Sequence, residues 1–420
     1  MKILVRGGRV VDPASGRDAR ADVAIAEGRI AAAAEGGFDR VIDAEGCIVA
    51  PGLIDLAARL REPGSRYKAT IVTEMDAAVA GGVTSVACPP DTDPPLDEPG
   101  LVDMLRRRAK ALARARVYPV GALTVNLEGA RLTEMTKLAE AGCVAFSQAN
   151  APLADTQVLW RALQYASTFG LSVWLRAEDH WLAKGGVAHD GEVATRLGLA
   201  GIPEFAETIA LATLLTLVRA TGTRVHVCRL SSAASVAMLR AAKQEGLPVS
   251  CDVGIHHVHL SDMDLGYFDS QCRLEPPLRS QRDRDALAAG LADGTIDCAV
   301  SDHTPVNDDS KQLPFAEAEP GATGLELLLP LVLRWAEASK VPLATALARV
   351  TSAPASVLGA HSGRIAPGAP ADLVIFDPRA PLRIAPETLK SEGKNSPYLG
   401  YELAGKVRAT LVAGNVVYEA

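Results

Sequence analysis

The sequence predicts an α/β chain: a (β/α)8 TIM barrel with a small β-domain assembled from both ends of the chain. Three observations carry this. Eight apolar, strand-like runs alternate with helical patterns through the middle of the chain. The first and last stretches share a different texture, short strands broken by glycine turns. The length, 420 residues, suits one large barrel with an attachment.

The elements follow in order. Residues 1–52 read as strands and turns, in KILVRGGRVVD, DVAIAEGRIAAAA and RVIDAEGCIVAPG. The barrel strands are then LIDLAA (53–58), VTSVAC (83–88), RVYPVGAL (116–123), CVAFS (143–147), SVWLR (172–176), RVHVCRL (224–230), PVSCDV (248–253) and IDCAVSD (296–302). Helical patterns lie between them, including PLADTQVLWRALQYASTFG, PEFAETIALATLLTLVRATG and SAASVAMLRAAKQEG. The last two stop at a glycine, as helix C-termini commonly do. After residue 360 the strand-and-turn texture returns, in GRIAPGAPADLVIFDP and VRATLVAGNVVYEA. The expected division is a composite β-domain from 1–52 and 361–420 around a barrel at 53–360.

Composition excludes several classes. The formal charge of −7 leaves no basic footprint for nucleic acid. No apolar run is long enough to mark a membrane span. MKILVRGGRV enters a strand pattern at once, without a signal-peptide core. The seven cysteines, Cys47, Cys88, Cys143, Cys228, Cys251, Cys272 and Cys298, include no C-x-x-C pair, so no disulfide framework or zinc knuckle is expected. The expected compartment is the cytoplasm.

In a barrel of this kind chemistry sits at the C-terminal ends of the strands. Those ends carry Ala57-Ala58-Arg59, then Asp91, then Gln148-Ala149-Asn150, then Arg176 and Glu178, Arg229, His256-His257, and Asp302-His303. The set is rich in arginine and carboxylate. A zinc site needs three or four converging His, Cys or carboxylate ligands. Only His256, His257 and His303 could join Asp302 in one, and the more economical reading has His256 and His257 filling a loop and bonding backbone. Arg59, Arg176 and Arg229 are expected to pair with carboxylates such as Asp302 or Glu178.

The chain resembles the dihydroorotases of the amidohydrolase superfamily over essentially its whole length. PGLIDL…LREPG, the Pro-Pro-Asp-Thr-Asp-Pro turn, AEDHWLAKGGV, RLGLAGIPEFAE, PVSCDVGIHH, SDHTP, PGATGLELLLPL, SAPASVLG, GRIAPGAPADLVIFDP and NSPYLGYEL all carry the likeness, in the family's order. The resemblance implies an amidohydrolase-type barrel and a binuclear metal centre.

The ligand positions depart from that pattern. Where the family places His-x-His, this chain has Ala57 and Arg59. Where it places Asp-Asp after Phe-Ser, Gln148 and Ala149 stand. Arg176 and Arg229 replace two histidines; His226 and Asp302 are kept. Alanine has no lone pair and guanidinium none to give, so no metal and no cofactor are expected, and Asp302 is read as vestigial. The positions that resemble the family's substrate contacts are Arg61, Asp91, Glu275 and Val306. Two acids there would oppose an anionic substrate, and Arg61 is expected to pair with Asp91 or Glu275.

Without metal the family's hydrolysis loses the bound hydroxide that makes water a nucleophile at about neutral pH. The resemblance is nearest to inactive dihydroorotase-like chains that associate with the aspartate carbamoyltransferase catalytic chain in bacteria. It implies a pseudoenzyme, not an enzyme, acting as an assembly subunit in de novo pyrimidine biosynthesis, in a hetero-oligomer read as a dodecamer with homodimer contacts, and with neither nucleic acid nor membrane as partner. The alternative is a metal-independent or mononuclear cyclic-amide hydrolase of altered specificity. A self-associating scaffold akin to metal-free dihydropyrimidinase relatives ranks third.

Overall fold

A computed structural model describes residues 1–32 and 37–420. The end of the DVAIAEGRIAAAA stretch, residues 33 and 34, lies outside the described residues.

All eight expected barrel strands are present: β1 (Leu53–Asp55), β2 (Val83–Cys88), β3 (Arg116–Ala122), β4 (Ala145–Ser147), β5 (Val173–Leu175), β6 (Val225–Val227), β7 (Val249–Gly254) and β8 (Cys298–Val300). They form one sheet in sequence order, every neighbour parallel. Most are shorter than the apolar runs that announced them. RVHVCRL pairs only over β6, so Cys228, Arg229 and Leu230 lie beyond the ladder, at the mouth. The sheet closes past the strand ends, where Ala58 bridges His303 in parallel. There Arg59 N–H donates to His303 O at 2.9 Å and His303 N–H to Ala57 O at 3.0 Å. This seam sets Arg59 beside Asp302.

Connecting helices begin where side-chain caps satisfy their free N–H groups. Thr70 caps α1 (Ile71–Ala80), Asp155 caps α2 (Thr156–Thr168), Ser232 caps α3 (Ala233–Gln244) and Ser280 caps α4 (Gln281–Asp293). The PEFAETIALATLLTLVRATG helix runs Glu204–Thr221 and ends on Gly222 in the left-handed conformation, as expected.

Both chain ends build the β-domain. One sheet orders Asn415–Glu419, Glu402–Val412, Leu373–Arg383, Ile48–Pro51, Arg9–Asp12 and Arg17–Arg20; the other orders Arg29–Ile30, Val23–Ala26, Lys2–Arg6 and Arg40–Asp43. Glu27-Gly28, both with positive φ, make the two-residue hairpin between Val23–Ala26 and Arg29–Ile30. Ile3, Val5, Ile25, Leu373, Ile375 and Leu411 are buried between the sheets.

A strap, residues 389–398, runs from this domain back over the barrel. Asn395 Oδ1 accepts Val306 N–H at 3.0 Å, and its Nδ2 donates to Thr304 O at 2.9 Å and Gly321 O at 3.0 Å. Glu74 on α1 takes His303 Nε2, Ser391 Oγ and Glu392 N–H together. The strap therefore fixes the backbone that follows Asp302. Replacing Asn395 by Ala leaves three buried groups unpaired, and each such group costs about 1–3 kcal/mol. Urea unfolding of Asn395→Ala is expected to show a loss of about 3 kcal/mol; an unchanged midpoint would show that the strap carries no load.

Candidate functional site

The mouth gathers charge from most of the strand ends. Arg59 follows β1, Asp91 follows β2, Asn150 follows β4, Arg176 and Glu178 follow β5, Arg229 follows β6 and Asp302 follows β8. Glu275 reaches in from the segment between β7 and α4.

Arg59 Nε donates to Asp91 Oδ2 at 2.7 Å, and its Nη1 to Thr304 Oγ1 at 2.9 Å and Asp302 Oδ1 at 3.4 Å. Arg229 Nη1 reaches the same Asp302 oxygen at 3.2 Å, and its Nη2 donates to Asn150 Oδ1 at 2.5 Å. Arg176 grips Glu178 with two parallel bonds of 2.6 and 2.7 Å and holds Glu275 at 2.7 Å. This fork geometry is what guanidinium and carboxylate form best. The expected pairing of Arg59 and Arg229 with Asp302, and of Arg176 with Glu178, is observed.

Burial sets the electrostatics. Burial alone would pull the Arg59 guanidinium down, but Asp91 and Asp302 hold it above its ordinary value. Burial works against Arg176 too, and Glu275 and Glu178 outweigh it. Burial would raise Asp91, and Arg59 draws it below the usual carboxylate range.

Arg61 corrects one expectation. It pairs with neither Asp91 nor Glu275, because Arg59 and Arg176 have taken those acids. Its Nε donates to Pro305 O at 2.8 Å, and its nearest carboxylate oxygen, on Glu319, is 3.9 Å away. Burial and the nearby Arg59 charge lower its pKa. Val306 is fully buried, tied through its N–H to Asn395. Gln148 bonds Thr124 and Leu127 O, and Ala149 sits beside it with a φ of 50°.

The binuclear centre that the resemblance implies does not fit these residues. Ala57 offers no donor atom, and Arg59, Arg176 and Arg229 are cations engaged with acids. The mononuclear alternative does not assemble either. His303 points away from the mouth: its Nδ1 accepts N–H from Gly324 and Leu325, so its proton sits on Nε2, facing Glu74. His257 Nε2 lies 2.9 Å from Pro276 O. His256 stacks on Tyr398 with neither ring nitrogen bonded, and burial drives its pKa to about 3.

Among the described residues, His226, Cys228 and Asp252 are the one group with three donor atoms close enough for an ion. Those donors are committed elsewhere. His226 joins Ser250 at 2.7 Å and Asp252 at 2.8 Å, and Asp252 accepts Arg229 N–H at 2.6 Å. Burial, reinforced by Asp252, pushes the Cys228 thiol well above its ordinary value, against the thiolate a metal needs.

Sequence reasoning did not find Thr304, Asn395, Glu319 or Asp252. Thr304, Asn395 and Asp252 lie inside the motifs SDHTP, NSPYLGYEL and PVSCDVGIHH, but their roles arise from pairing across the chain, which the motifs do not spell out.

The comparisons agree with the architecture. A dihydro-orotase-like family model matches residues 46–235. A dihydroorotase-like protein of Pseudomonas aeruginosa is 44% identical over the whole of both chains. A dihydroorotase of Geobacter sp. is 40% identical, again over the whole of both. Among solved structures, the L-hydantoinase (dihydropyrimidinase) of Arthrobacter aurescens superposes with a TM-score of 0.89, covering 99% of this chain and 96% of its own at 24% identity. The chain belongs to the dihydroorotase-like family, with the barrel fold of the hydantoinases.

These relatives overturn the expectation that the chain is an inactive pseudoenzyme and not an enzyme. Full-length relatives at 40% identity carry the name dihydroorotase, and the kinship points to a cyclic-amide hydrolase. Among the described residues, no helix is long and apolar enough to cross a membrane.

Two outcomes are expected of the cluster. Arg229→Met leaves Asp302 short of a buried partner, a change that typically costs about 3–5 kcal/mol. Urea unfolding is expected to show that loss, with Asp302→Leu in the same chain restoring part of it. Asp91 and Glu74 are both held below their ordinary values. Each therefore contributes stability that is present above its unfolded pKa, about 4, and lost as the pH falls through its folded one. His256 and His259, held neutral by burial with pKa values of about 3 and about 4, add a loss that begins as the pH falls through the unfolded histidine value, about 6.5. Thermal melts are therefore expected to start dropping near about pH 6.5 and to steepen below about 4; a profile flat from pH 8 to about 5 would contradict this.

Proposed function

We propose that this dihydroorotase-like chain works in de novo pyrimidine biosynthesis as an assembly subunit for the catalytic chain of aspartate carbamoyltransferase. The observation that supports the reading is the mouth itself. Positions that would hold two metals and a ring-shaped substrate hold arginines bound to carboxylates, while the barrel and its β-domain are complete. The two acids that have replaced substrate-binding donors, Asp91 and Glu275, serve that cluster. The resemblance to dihydroorotase-like chains associated with the transferase supplies the partner, and a hetero-dodecamer the stoichiometry.

A second reading is favoured by the relatives named dihydroorotase. It is metal-independent cyclic-amide hydrolysis of altered specificity.

One preparation separates the two. The chain is mixed with the same organism's aspartate carbamoyltransferase, and complex mass and transferase activity are recorded together. Dihydroorotate and hydantoin turnover by the chain alone is followed with and without added zinc. The assembly reading expects a large stable complex and transferase activity that depends on this chain. Two proteins that stay apart, with the transferase active alone, would defeat it; turnover by the isolated chain would establish the second reading.

A further inference from the structure

The Glu204–Thr221 helix carries no charge between Glu207 and Arg219, on any side. Phe205, Ile209, Ala212, Thr216 and Ala220 stand exposed at i, i+4, i+7, i+11 and i+15, one narrow stripe along its whole length. A helix apolar all round is normally covered all round, yet the barrel covers only the side of Leu211, Leu214, Leu215 and Val218. The polar groups of the helix are already engaged. Thr213 and Thr216 donate their hydroxyls to Ile209 O and Ala212 O, at 3.1 and 2.8 Å. Glu204 accepts Ala234 N–H, and Glu207 is buried beneath Ser231 and Ser232. Arg219 is held by Glu245 through two bonds of 2.6 and 2.7 Å.

Apolar surface extends the stripe at both ends. The short helix His180–Ala183 lies against its start, where Asp179 N–H donates to Ala206 O at 2.8 Å, and brings the exposed Trp181 and Leu182. At the far end Ser167 donates to Thr221 O at 2.9 Å, and Phe169, just past α2, is exposed. Apolar surface gathered in this way marks an interaction site. A helix of 18 residues is about 27 Å long. That is the width of a patch of about 800 Å², which a stable interface covers on each partner.

The stripe is its own complement. Its exposed positions are symmetric about the point between Ala212 and Thr213. A second copy laid antiparallel across that point sets Phe205 over Ala220 and Ile209 over Thr216, large against small, as packed helices interdigitate. Such a contact is isologous and closes as a dimer. Charge agrees with it. The chain carries a formal charge of −7, so two copies meet with least repulsion through an uncharged face. A second exposed apolar group, Met263, Tyr267, Phe268 and Leu313, fails on this count, because Asp264, Asp269, Asp308 and Asp309 stand exposed in the same segments.

We propose that the Glu204–Thr221 helix is the docking face for a second copy of this chain, in antiparallel contact about a two-fold axis at Ala212 and Thr213. The resemblance implies homodimer contacts but assigns them no residues. The proposal concerns the isolated chain and does not rest on assembly with the transferase.

The test uses the full chain alone. Sedimentation velocity at about 10 μM is expected to give the mass of two chains. Ile209→Glu, at an exposed position, is expected to weaken self-association at least about thirtyfold, the loss of one interface anchor. Its circular dichroism and melting temperature, read as the monomer, report that the fold is intact. Oxidative cross-linking reads the direction of the pair. Ala212→Cys, on the axis, is expected to give a disulfide-linked dimer under copper-catalysed oxidation, while the native chain does not. Ala220→Cys is expected to stay unlinked, because antiparallel pairing holds its two copies about 20 Å apart. A monomeric native chain, an Ile209→Glu variant that pairs as before, or a cross-link at Ala220→Cys and none at Ala212→Cys would each overturn the proposal.

Discussion

Asp302 is a carboxylate held where the barrel closes, and the mouth is arranged around its charge. The seam at Ala58 and His303 places it there. A buried carboxylate without a partner is strongly destabilising. Here that charge meets Arg59 and Arg229. Those cations carry needs of their own. Arg59 takes Asp91, Arg229 takes Asn150, and Arg176 takes Glu178 and Glu275. One retained aspartate thus has consequences at the ends of β1, β2, β4, β5 and β6.

The same constraint shapes what the site can do. Guanidinium stays charged at any pH a cell meets, so the cluster cannot supply a general base from its arginines. Its carboxylates are engaged as acceptors, and the histidines near the mouth are buried and committed to backbone or to stacking. Kinship with proteins named dihydroorotase makes cyclic-amide chemistry the reference for this family, and the residues of this chain set its limits.

Much of this was legible in the sequence. Each barrel strand is a short run of apolar and β-branched residues, and the helices between them carry their caps at their starts; such signals are local. The vacated ligand positions were legible too, because Ala57, Arg59, Arg176 and Arg229 sit in motifs whose flanks are intact. Arg61 was not. Its partner depends on which acid wins which arginine, and Arg59, nearer the seam, takes Asp91 first. His303 was misjudged as a mouth residue for a related reason. Its neighbour Asp302 has a φ of 47°, and Glu74, far away in sequence, holds the imidazole on the opposite side. The judgement on catalysis went too far. Absent metal ligands bear on one mechanism, and the relatives at 40% identity bear on the protein's class.

Arginines stand where the resemblance places metal ligands, and they supply the positive charge beside Asp302. The most direct test is elemental analysis of the intact protein purified from cells grown with excess zinc and never exposed to chelator. Metal far below one ion per chain is the expected result. One or two tightly held ions per chain, lost on substituting Asp302, would contradict it.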